Sequence, residues 1–312
     1  MARHGREHLS LVYLNLIFDP PGLQSLNGPR HDNDHAHIKD IQIVPTQAEL
    51  ICERSPYLPS NDIPGAPHHL PPGWSRLLDI HFRLNREDMI DQLRQGIVLF
   101  LGALSKTTPG NRGDLFTRNR LRKLMGEDVS VNAYGNVELL GANVDSQLRG
   151  SIKVSFNQPQ KIKGRPKKER KDFWERSRRR LIKNSLVCFI YPEEGQDNVG
   201  VQGRSNGELR LFLGVVDTKD IVEMAEDANK AVVHVTMIDD ADYCQLVRAV
   251  KKGVVSPKDV FMVESLGGNF ESYRPILRAL QMLEPDTMPF SKYLAPMEGQ
   301  PTSDSVTLIS PP

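Results

Sequence analysis

Apolar residues recur at helical spacing in one long stretch of the chain. From Ile90 to Leu104 they fall every three or four positions, and charged or amide side chains occupy the opposite face. The spacing predicts an amphipathic helical segment over residues 74–104. Two alternatives remain for its beginning: Asn85 caps a helix that starts there, or one helix runs from Trp74 and leaves Asn85 exposed.

After Val129 the pattern changes to short apolar runs separated by turn residues, which is typical of β-strands. The runs are 129–131, 137–140, 151–156, 185–191, 209–216, 231–238 and 260–264. Helices are predicted at 219–227, 239–252 and 272–283. Because strands and helices do not alternate regularly, the predicted fold class is α+β, with a barrel-like or twisted antiparallel sheet domain flanked by helices.

Proline-rich and polar stretches indicate how the chain is divided. The predicted parts are an irregular N-terminal segment with a proline-rich linker (1–73), the helical segment (74–104), a β-rich accessory domain (128–268) with a basic insertion (157–183), a helix and linker (269–296), and a disordered tail (297–312). Within the first part, Thr46 and Glu49 match a capping box that starts a short helix.

Cysteine content and hydropathy exclude several classes of protein. Cys52, Cys188 and Cys244 form no Cys-x-x-Cys pair, which argues against a disulfide scaffold or a cysteine-rich zinc module. No stretch approaches the roughly 20 apolar residues of a membrane span, and the N-terminus lacks the features of a secretory signal. The sequence therefore predicts an intracellular protein without membrane contact.

Positive charge is concentrated in residues 161–183, which we call the basic segment. It holds twelve Lys or Arg and three acidic residues, a net charge of +9 in a chain whose total is +1. Such a segment can neutralise phosphates and bind nucleic acid, RNA or DNA, in a salt-dependent way. The candidate phosphate contacts are Arg165, Lys167, Lys168, Arg170, Lys171, Arg178, Arg179 and Arg180. A solvated loop and a nuclear-import signal over 166–171 are alternatives.

Two other features of the basic segment bear on how it would bind. Phe173 and Trp174 could stack on bases beside the cations, or they could belong to the core. The Gly164-Arg165-Pro166 string between lysines resembles an AT-hook, an arm that lies in the minor groove, although so short a string also matches by chance.

No arrangement of residues predicts catalysis. The chain lacks the phosphate-binding loop of nucleotide hydrolases, so the strand 232–238 and Asp239 are interpreted as a strand followed by a helix N-cap rather than a magnesium site. His31, His35 and His37, and likewise His68 and His69, are interpreted as parts of solvated loops. The sequence thus predicts no enzyme site, metal, cofactor or small-molecule substrate.

Several strings, taken in order, resemble a known family. They are Phe18-Asp19-Pro20-Pro21-Gly22, residues 30–36, 41–46, 78–88 and 93–97, then 174–181 and 185–188, and finally 261–265, 270–277 and Pro289-Phe290. Together they resemble the region before the helicase core of the NFX-type zinc-finger helicases, which are Upf-like superfamily 1 RNA helicases of small-RNA silencing. The fungal branch, which acts in RNAi-directed heterochromatin, is most similar. The resemblance covers about residues 18–296, and blocks 83–88 and 270–277 are its most distinctive parts.

The resemblance implies a β-rich accessory domain that precedes the ATPase lobes. It also implies a non-catalytic, nucleic-acid-binding module of a silencing helicase, with an RNA-dependent RNA polymerase or another silencing complex as partner. The expected location is the nucleus or the cytoplasm, with the nucleus favoured. Alternatives are a protein scaffold without nucleic-acid contact and a fragment of an active helicase. The chain departs from the family at Asn85, at the insertions 105–127, 157–172 and 193–208, and in lacking the ATPase lobes and the zinc fingers.

Overall fold

The computed structural model describes residues 18–60, 66–107, 132–144, 150–192, 209–253, 255–264 and 270–284. The chain forms two units. The first comprises Met1–Val44, Cys52–Arg86 and Pro275–Pro312, and the second comprises Pro45–Ile51 and Glu87–Arg274. The predicted strand 129–131, the predicted tail 297–312, the insertion 193–208 and most of the insertion 105–127 lie outside the described residues.

Six α-helices and seven strands occur in the described ranges. The helices are α1 (Gln47–Leu50), α2 (Trp74–Ser105), α3 (Lys167–Arg176), α4 (Ile221–Met224), α5 (Asp240–Lys251) and α6 (Phe270–Met282). The strands are β1 (Asn132–Gly135), β2 (Glu138–Val144), β3 (Gly150–Asn157), β4 (Leu186–Pro192), β5 (Leu209–Thr218), β6 (Lys230–Met237) and β7 (Phe261–Glu264). The mixture confirms the predicted α+β class.

The strands form one antiparallel sheet in the order β1-β7-β4-β5-β6-β3-β2. The sheet is open, with β1 and β2 at its two edges. The prediction allowed either a barrel-like or a twisted antiparallel sheet, and the described strands form the open antiparallel sheet. At Gly214, opposite Met237, an added Cβ would lie 2.5 Å from a methyl carbon of Val235. Glycine is therefore required there for β5 and β6 to approach each other.

The core of the second unit lies on one face of this sheet. Val187, Phe189 and Tyr191 of β4 contribute to it, together with Trp174 of α3 and Leu246 of α5. Side chains alternate between the faces of a strand, so the intervening residues of β4 point to the opposite face. These intervening residues are also buried, since every residue from 186 to 191 is buried. Burial on both faces explains why β4 is a continuous apolar run.

Two helix boundaries follow from local chemistry. Helix α2 is continuous from Trp74, and the Asn85 side chain donates a hydrogen bond to the His81 carbonyl (2.7 Å). The single-helix alternative is therefore confirmed, with Asn85 half-buried rather than exposed. Asp239 caps α5 by accepting a hydrogen bond from the Ala241 amide (2.7 Å), as predicted. Gly253, with a φ of +73°, follows the C-cap residue Lys252.

Candidate nucleic-acid interface

The basic segment belongs to the second unit and folds into three consecutive parts. A turn over 159–165 leads into α3, and a loop over 177–184 connects α3 to β4. Proline at position 166 precedes the first helical residue, where its missing N–H leaves no hydrogen bond unsatisfied. The segment therefore has a fixed backbone, and the positions of its cations follow from that backbone.

The turn explains what becomes of the AT-hook-like string. The amide of Gly164 donates to the Ala228 carbonyl (2.8 Å), and the amide of Arg165 donates to the Ile162 carbonyl (3.0 Å). The φ of Gly164 is +72°, a value that side-chain-bearing residues rarely adopt. A string folded into a turn and followed at once by a helix is not an extended arm, so the AT-hook alternative does not fit the structure.

Several cations of the basic segment are exposed and have no acidic partner. They are Lys161, Lys163, Arg165, Lys168, Arg178, Arg179 and Lys183, for which no hydrogen bond or ion pair of the side chain occurs within the described ranges. Four of these seven, Arg165, Lys168, Arg178 and Arg179, are predicted phosphate contacts. Their charges are directed to solvent, where an anion can reach them.

Other cations of the segment are exposed but paired. Lys167 pairs with Glu226, and Lys171 lies 3.8 Å from Glu175. These side chains are about half exposed, and ion pairs of this kind contribute roughly 0–1 kcal/mol. A phosphate group could replace either carboxylate at little cost, so both lysines stay candidates.

Arg170 requires a correction, because it is only 5% exposed. Its guanidinium donates from Nε and Nη2 to the Ala225 carbonyl at 3.0 and 2.7 Å, and from Nη2 to the Glu226 carbonyl at 3.0 Å. The side chain thus satisfies the carbonyl groups at the end of α4 and fixes α3 against them. The structure gives Arg170 a packing role and leaves no room for a phosphate contact.

Trp174 requires the same correction for base stacking. Its side chain is fully buried, and Nε1 donates to the Gln158 side-chain oxygen at 3.1 Å. Phe173 is half-buried, with its ring centroid 5.2 Å from that of Trp174. Arg170 and Trp174 are four residues apart and share one face of α3, which is the face that packs inward.

The loop 177–184 is held by a half-buried lysine, Lys219, that the sequence analysis missed. The ammonium of Lys219 donates to the Ser177 carbonyl (2.9 Å) and to the Arg180 carbonyl (2.7 Å). It also lies 5.6 Å from the centroid of the Trp174 ring. Because burial disfavours the charged form, the pKa of Lys219 is lowered.

A buried glutamate holds the same loop from the sheet. The carboxylate of Glu264 accepts hydrogen bonds from the Leu181 amide and from the Tyr134 hydroxyl (3.1 Å). Arg180 is half-buried and donates to that hydroxyl at 3.3 Å, so it is oriented toward this cluster rather than toward solvent. Burial raises the pKa of Glu264 to about 7 and that of Tyr134 well above its usual value. Arg178 and Arg179 therefore lie in a loop anchored on both sides.

In the first unit, His68 and His69 are not in a solvated loop. Their side chains are buried, and Nε2 of each faces a different oxygen of Asp79, at 3.3 and 3.6 Å. Arg83 donates to Asp79 at 2.8 Å. Burial lowers the pKa of His69 to about 4, so this ring is neutral at pH 7.

The hydrogen bonds of the two rings argue against a metal ion at this cluster, although the ligand atoms lie within 4.8 Å of one another. The Leu70 amide donates to Nδ1 of His68 (2.9 Å), and the Ala36 carbonyl lies 3.1 Å from Nε2 of His69. A ring nitrogen that accepts a hydrogen bond leaves the hydrogen on the other nitrogen, and a ring nitrogen that faces a carbonyl oxygen must donate. Nε2 of both rings therefore carries a hydrogen and offers no lone pair to a metal.

No helix among the described ranges is long and apolar enough to cross a bilayer. The described residues form an open antiparallel sheet with a cationic segment, an α+β module that is similar in sequence to the following proteins. Human NFX1-type zinc finger-containing protein 1 is 26% identical over 262 residues, or 83% of the chain. The Schizosaccharomyces pombe protein "Helicase required for RNAi-mediated heterochromatin assembly 1" is 26% identical over 288 residues, or 92% of the chain.

The mouse NFX1-type zinc finger-containing protein 1 is also similar, 26% identical over 81% of the chain. These matches confirm the predicted resemblance to the NFX-type helicases. The alignments cover 11%, 23% and 10% of the human, yeast and mouse proteins, so the chain spans a tenth to a quarter of its relatives' length. No family model matches the chain.

Proposed function

We propose that this chain is a non-catalytic, nucleic-acid-binding module related to the RNA helicases of small-RNA silencing. Its contact with nucleic acid is made by the exposed cations of the basic segment. One observation carries the proposal: Arg178 and Arg179 are exposed and free of acidic partners in the described structure, and Lys219 and Glu264 hold the loop that bears them. A fixed cationic surface loses less conformational entropy on binding than a flexible loop does.

The chemistry of this surface favours contacts with phosphates over contacts with bases. Arginine and lysine neutralise phosphates, and the released counterions make the affinity fall steeply with salt. Of the two candidate stacking residues, Trp174 is buried and cannot stack on a base, and Phe173 is half-buried. Binding is therefore expected to depend on salt and to be nearly independent of sequence.

The cellular role is proposed from the relatives. The name of the yeast relative states a requirement in RNAi-mediated heterochromatin assembly. By analogy, the module binds RNA in the nucleus, works beside the ATPase lobes of a helicase, and associates with a silencing complex, which includes an RNA-dependent RNA polymerase in this proposal. DNA is the other polyanion that the same surface would bind.

A charge-matched comparison tests the phosphate contacts. The test variant replaces Arg165, Lys168, Arg178 and Arg179 with Gln. The control variant replaces four cations that are exposed elsewhere in the second unit, Arg248, Lys251, Lys252 and Lys258, with Gln. Both variants lose the same total charge, so a difference between them reports the location of the binding surface.

Binding of a single-stranded RNA is measured by fluorescence anisotropy at several salt concentrations. Each neutralised phosphate contributes about −0.7 to the slope of log K against log salt, so the test variant should lose about 3 from that slope. The control variant should keep most of it. Equal losses in the two variants would contradict the proposed surface. Unchanged binding by the test variant would place the RNA elsewhere on the chain. Absence of RNA binding by the wild type would leave the protein-scaffold alternative, and ATP hydrolysis by the purified chain would revive the helicase alternative.

A further inference from the structure

Ser177 is the one hydroxyl-bearing residue of the basic segment, since residues 161–183 hold no other Ser, Thr or Tyr. It is the C-cap of α3, and its amide donates to the Phe173 carbonyl at 2.9 Å. Its carbonyl accepts from the Arg180 amide at 3.1 Å and from the Lys219 ammonium at 2.9 Å. The backbone of Ser177 is therefore bonded on both sides, at the point where α3 ends and the loop 177–184 begins.

The side chain of Ser177, by contrast, is not used by the fold. Its Oγ atom makes no hydrogen bond within the described ranges and is not buried. The residue as a whole is half-buried, so the hydroxyl reaches solvent. The buried Ser185 of the same unit differs, because its hydroxyl donates to the Ile182 carbonyl at 2.6 Å. A group attached to the Ser177 oxygen would therefore break no hydrogen bond of that side chain.

Exposed arginines flank this hydroxyl on both sides. Arg178 and Arg179 are unpaired in the described structure. Arg176 lies 4.0 Å from Asp172 and keeps 84% of its side chain exposed. Protein kinases select their substrates by charge pattern, and an acidic substrate groove favours a serine between arginines. The surroundings of Ser177 have the chemistry that such a groove selects.

We propose that Ser177 is a phosphorylation site for an arginine-directed serine/threonine kinase, and that its phosphate switches off the nucleic-acid surface of the basic segment. The second part of this inference rests on the proposed function. In the reaction, the Ser177 oxygen forms a bond to the γ-phosphorus of ATP, the bond from that phosphorus to the β,γ-bridging oxygen breaks, and ADP leaves. The hydroxyl proton passes to a catalytic base of the kinase.

The switch follows from charge and proximity. A phosphoserine carries about −1.5 to −2 charges at pH 7, which matches the two positive charges of Arg178 and Arg179. Charge-assisted hydrogen bonds to these guanidinium groups form within the loop, where the tethered phosphate has a far higher effective concentration than a phosphate of RNA. The negative C-terminal end of α3 also repels the added charge and favours its displacement toward the arginines. RNA then loses both contacts.

The full chain, incubated with ATP and the catalytic domain of protein kinase C, tests the site. We expect phosphorylation of Ser177, located by mass spectrometry, and none there with the acid-directed casein kinase II. Ser55 and Ser75 are exposed and each adjoin one arginine, so they should react roughly tenfold more slowly. An unmodified Ser177 in the folded chain, or equal rates at the three serines, would overturn the proposal.

A second experiment measures the effect on binding without a kinase. Phosphoserine is installed at position 177 during translation, and RNA binding is compared with that of the unmodified chain. Loss of two phosphate contacts should reduce the salt slope by about 1.4 and weaken binding roughly 25-fold at about 0.1 M salt. Phosphatase treatment should restore the affinity, and Ser177→Ala should bind RNA like the wild type.

Each failure has its own signature. Undiminished RNA affinity of the phosphorylated chain would overturn the switch, and so would weakened binding by Ser177→Ala, because the hydroxyl itself would then be a contact. Absence of RNA binding by the unmodified chain would instead contradict the proposed function. In that case the kinase experiment still decides whether Ser177 is a modification site.

Discussion

Glu264 accepts a hydrogen bond from the backbone amide of Leu181, so a buried acid on β7 fixes the loop that carries Arg178 and Arg179. Leu181 has a φ of +49°, a conformation that non-glycine residues seldom adopt without support. The bond joins β7, which lies next to the edge strand β1, to the cationic surface. A change in the protonation of Glu264 is thereby linked to the stability of the module.

The stability of the second unit should fall as pH rises from about 4.5 to about 7. Burial raises the pKa of Glu264 from 4.5 to about 7, so the folded protein holds a proton in this range that the unfolded chain releases. The folded state then binds more protons, and stability declines until pH 7 and stays level above it. The full effect is at most about 3 kcal/mol.

Urea unfolding at pH 5, 6, 7 and 8 measures this dependence. Glu264→Gln keeps an acceptor for the Leu181 amide and removes the titration, so its stability should decline less over the same range. The difference between the two proteins isolates Glu264 from the histidines. Parallel curves for wild type and variant would show that Glu264 does not titrate there.

Replacing Lys219 should loosen the loop without unfolding the core. Lys219→Met keeps the apolar stem near the Trp174 ring and removes the hydrogen bonds to the Ser177 and Arg180 carbonyls. We expect faster tryptic cleavage after Arg178 and Arg179, and RNA affinity about threefold weaker, because each lost hydrogen bond is worth about 1 kcal/mol and part of that is recovered by water.

Mass spectrometry of timed digests locates the cleavage sites. The control is Lys258→Met, which alters an exposed side chain in the same unit and should leave the cleavage rate of the loop unchanged. If Lys219→Met and Lys258→Met are cut equally fast, Lys219 is not the anchor of this loop.

Two cations two residues apart on α3 should give opposite results. Arg170→Met leaves the Ala225 and Glu226 carbonyls without their donor and should cost about 2–4 kcal/mol of stability, with little change in the salt slope of RNA binding. Lys168→Met alters an exposed side chain and should change stability by less than about 0.5 kcal/mol while flattening that slope. Thermal unfolding and RNA titration of both variants make the comparison. Loss of RNA binding by a folded Arg170→Met protein would restore Arg170 as a contact.

The sequence predicted the elements better than the roles of their residues. The apolar spacing of α2 and the runs of the central strands are local signals, and they identified the sheet and its antiparallel class. The burial of Arg170 depends on carbonyl groups 55 residues away in sequence, which no local pattern reports. One signal was available: Trp174 marks the inner face of α3, and a cation four residues before it shares that face.

Glu264 illustrates the same limit. Its burial arises because β7 lies between β1 and β4, where it pairs with Asn132 and Val187. No local sequence pattern predicts that order of strands. His68 and His69 were misinterpreted for a related reason, since Asp79, their partner, lies on α2 and the two histidines precede that helix.

The ion pair between Asp79 and Arg83 should be essential to the first unit. Both side chains are buried, and Arg83 also donates to the His35 and Ala36 carbonyls at 2.8 and 3.1 Å. Asp79→Asn leaves the guanidinium buried without a counter-charge, and breaking a buried pair in this way costs about 3–5 kcal/mol. The exposed Asp40→Asn is the control and should change stability by less than about 0.5 kcal/mol.

Differential scanning fluorimetry compares the two variants, with and without added zinc. Because the imidazole nitrogens facing Asp79 carry hydrogens, zinc should not raise the melting temperature of the wild type, and a zinc-dependent rise that Asp79→Asn abolishes would establish a metal site instead.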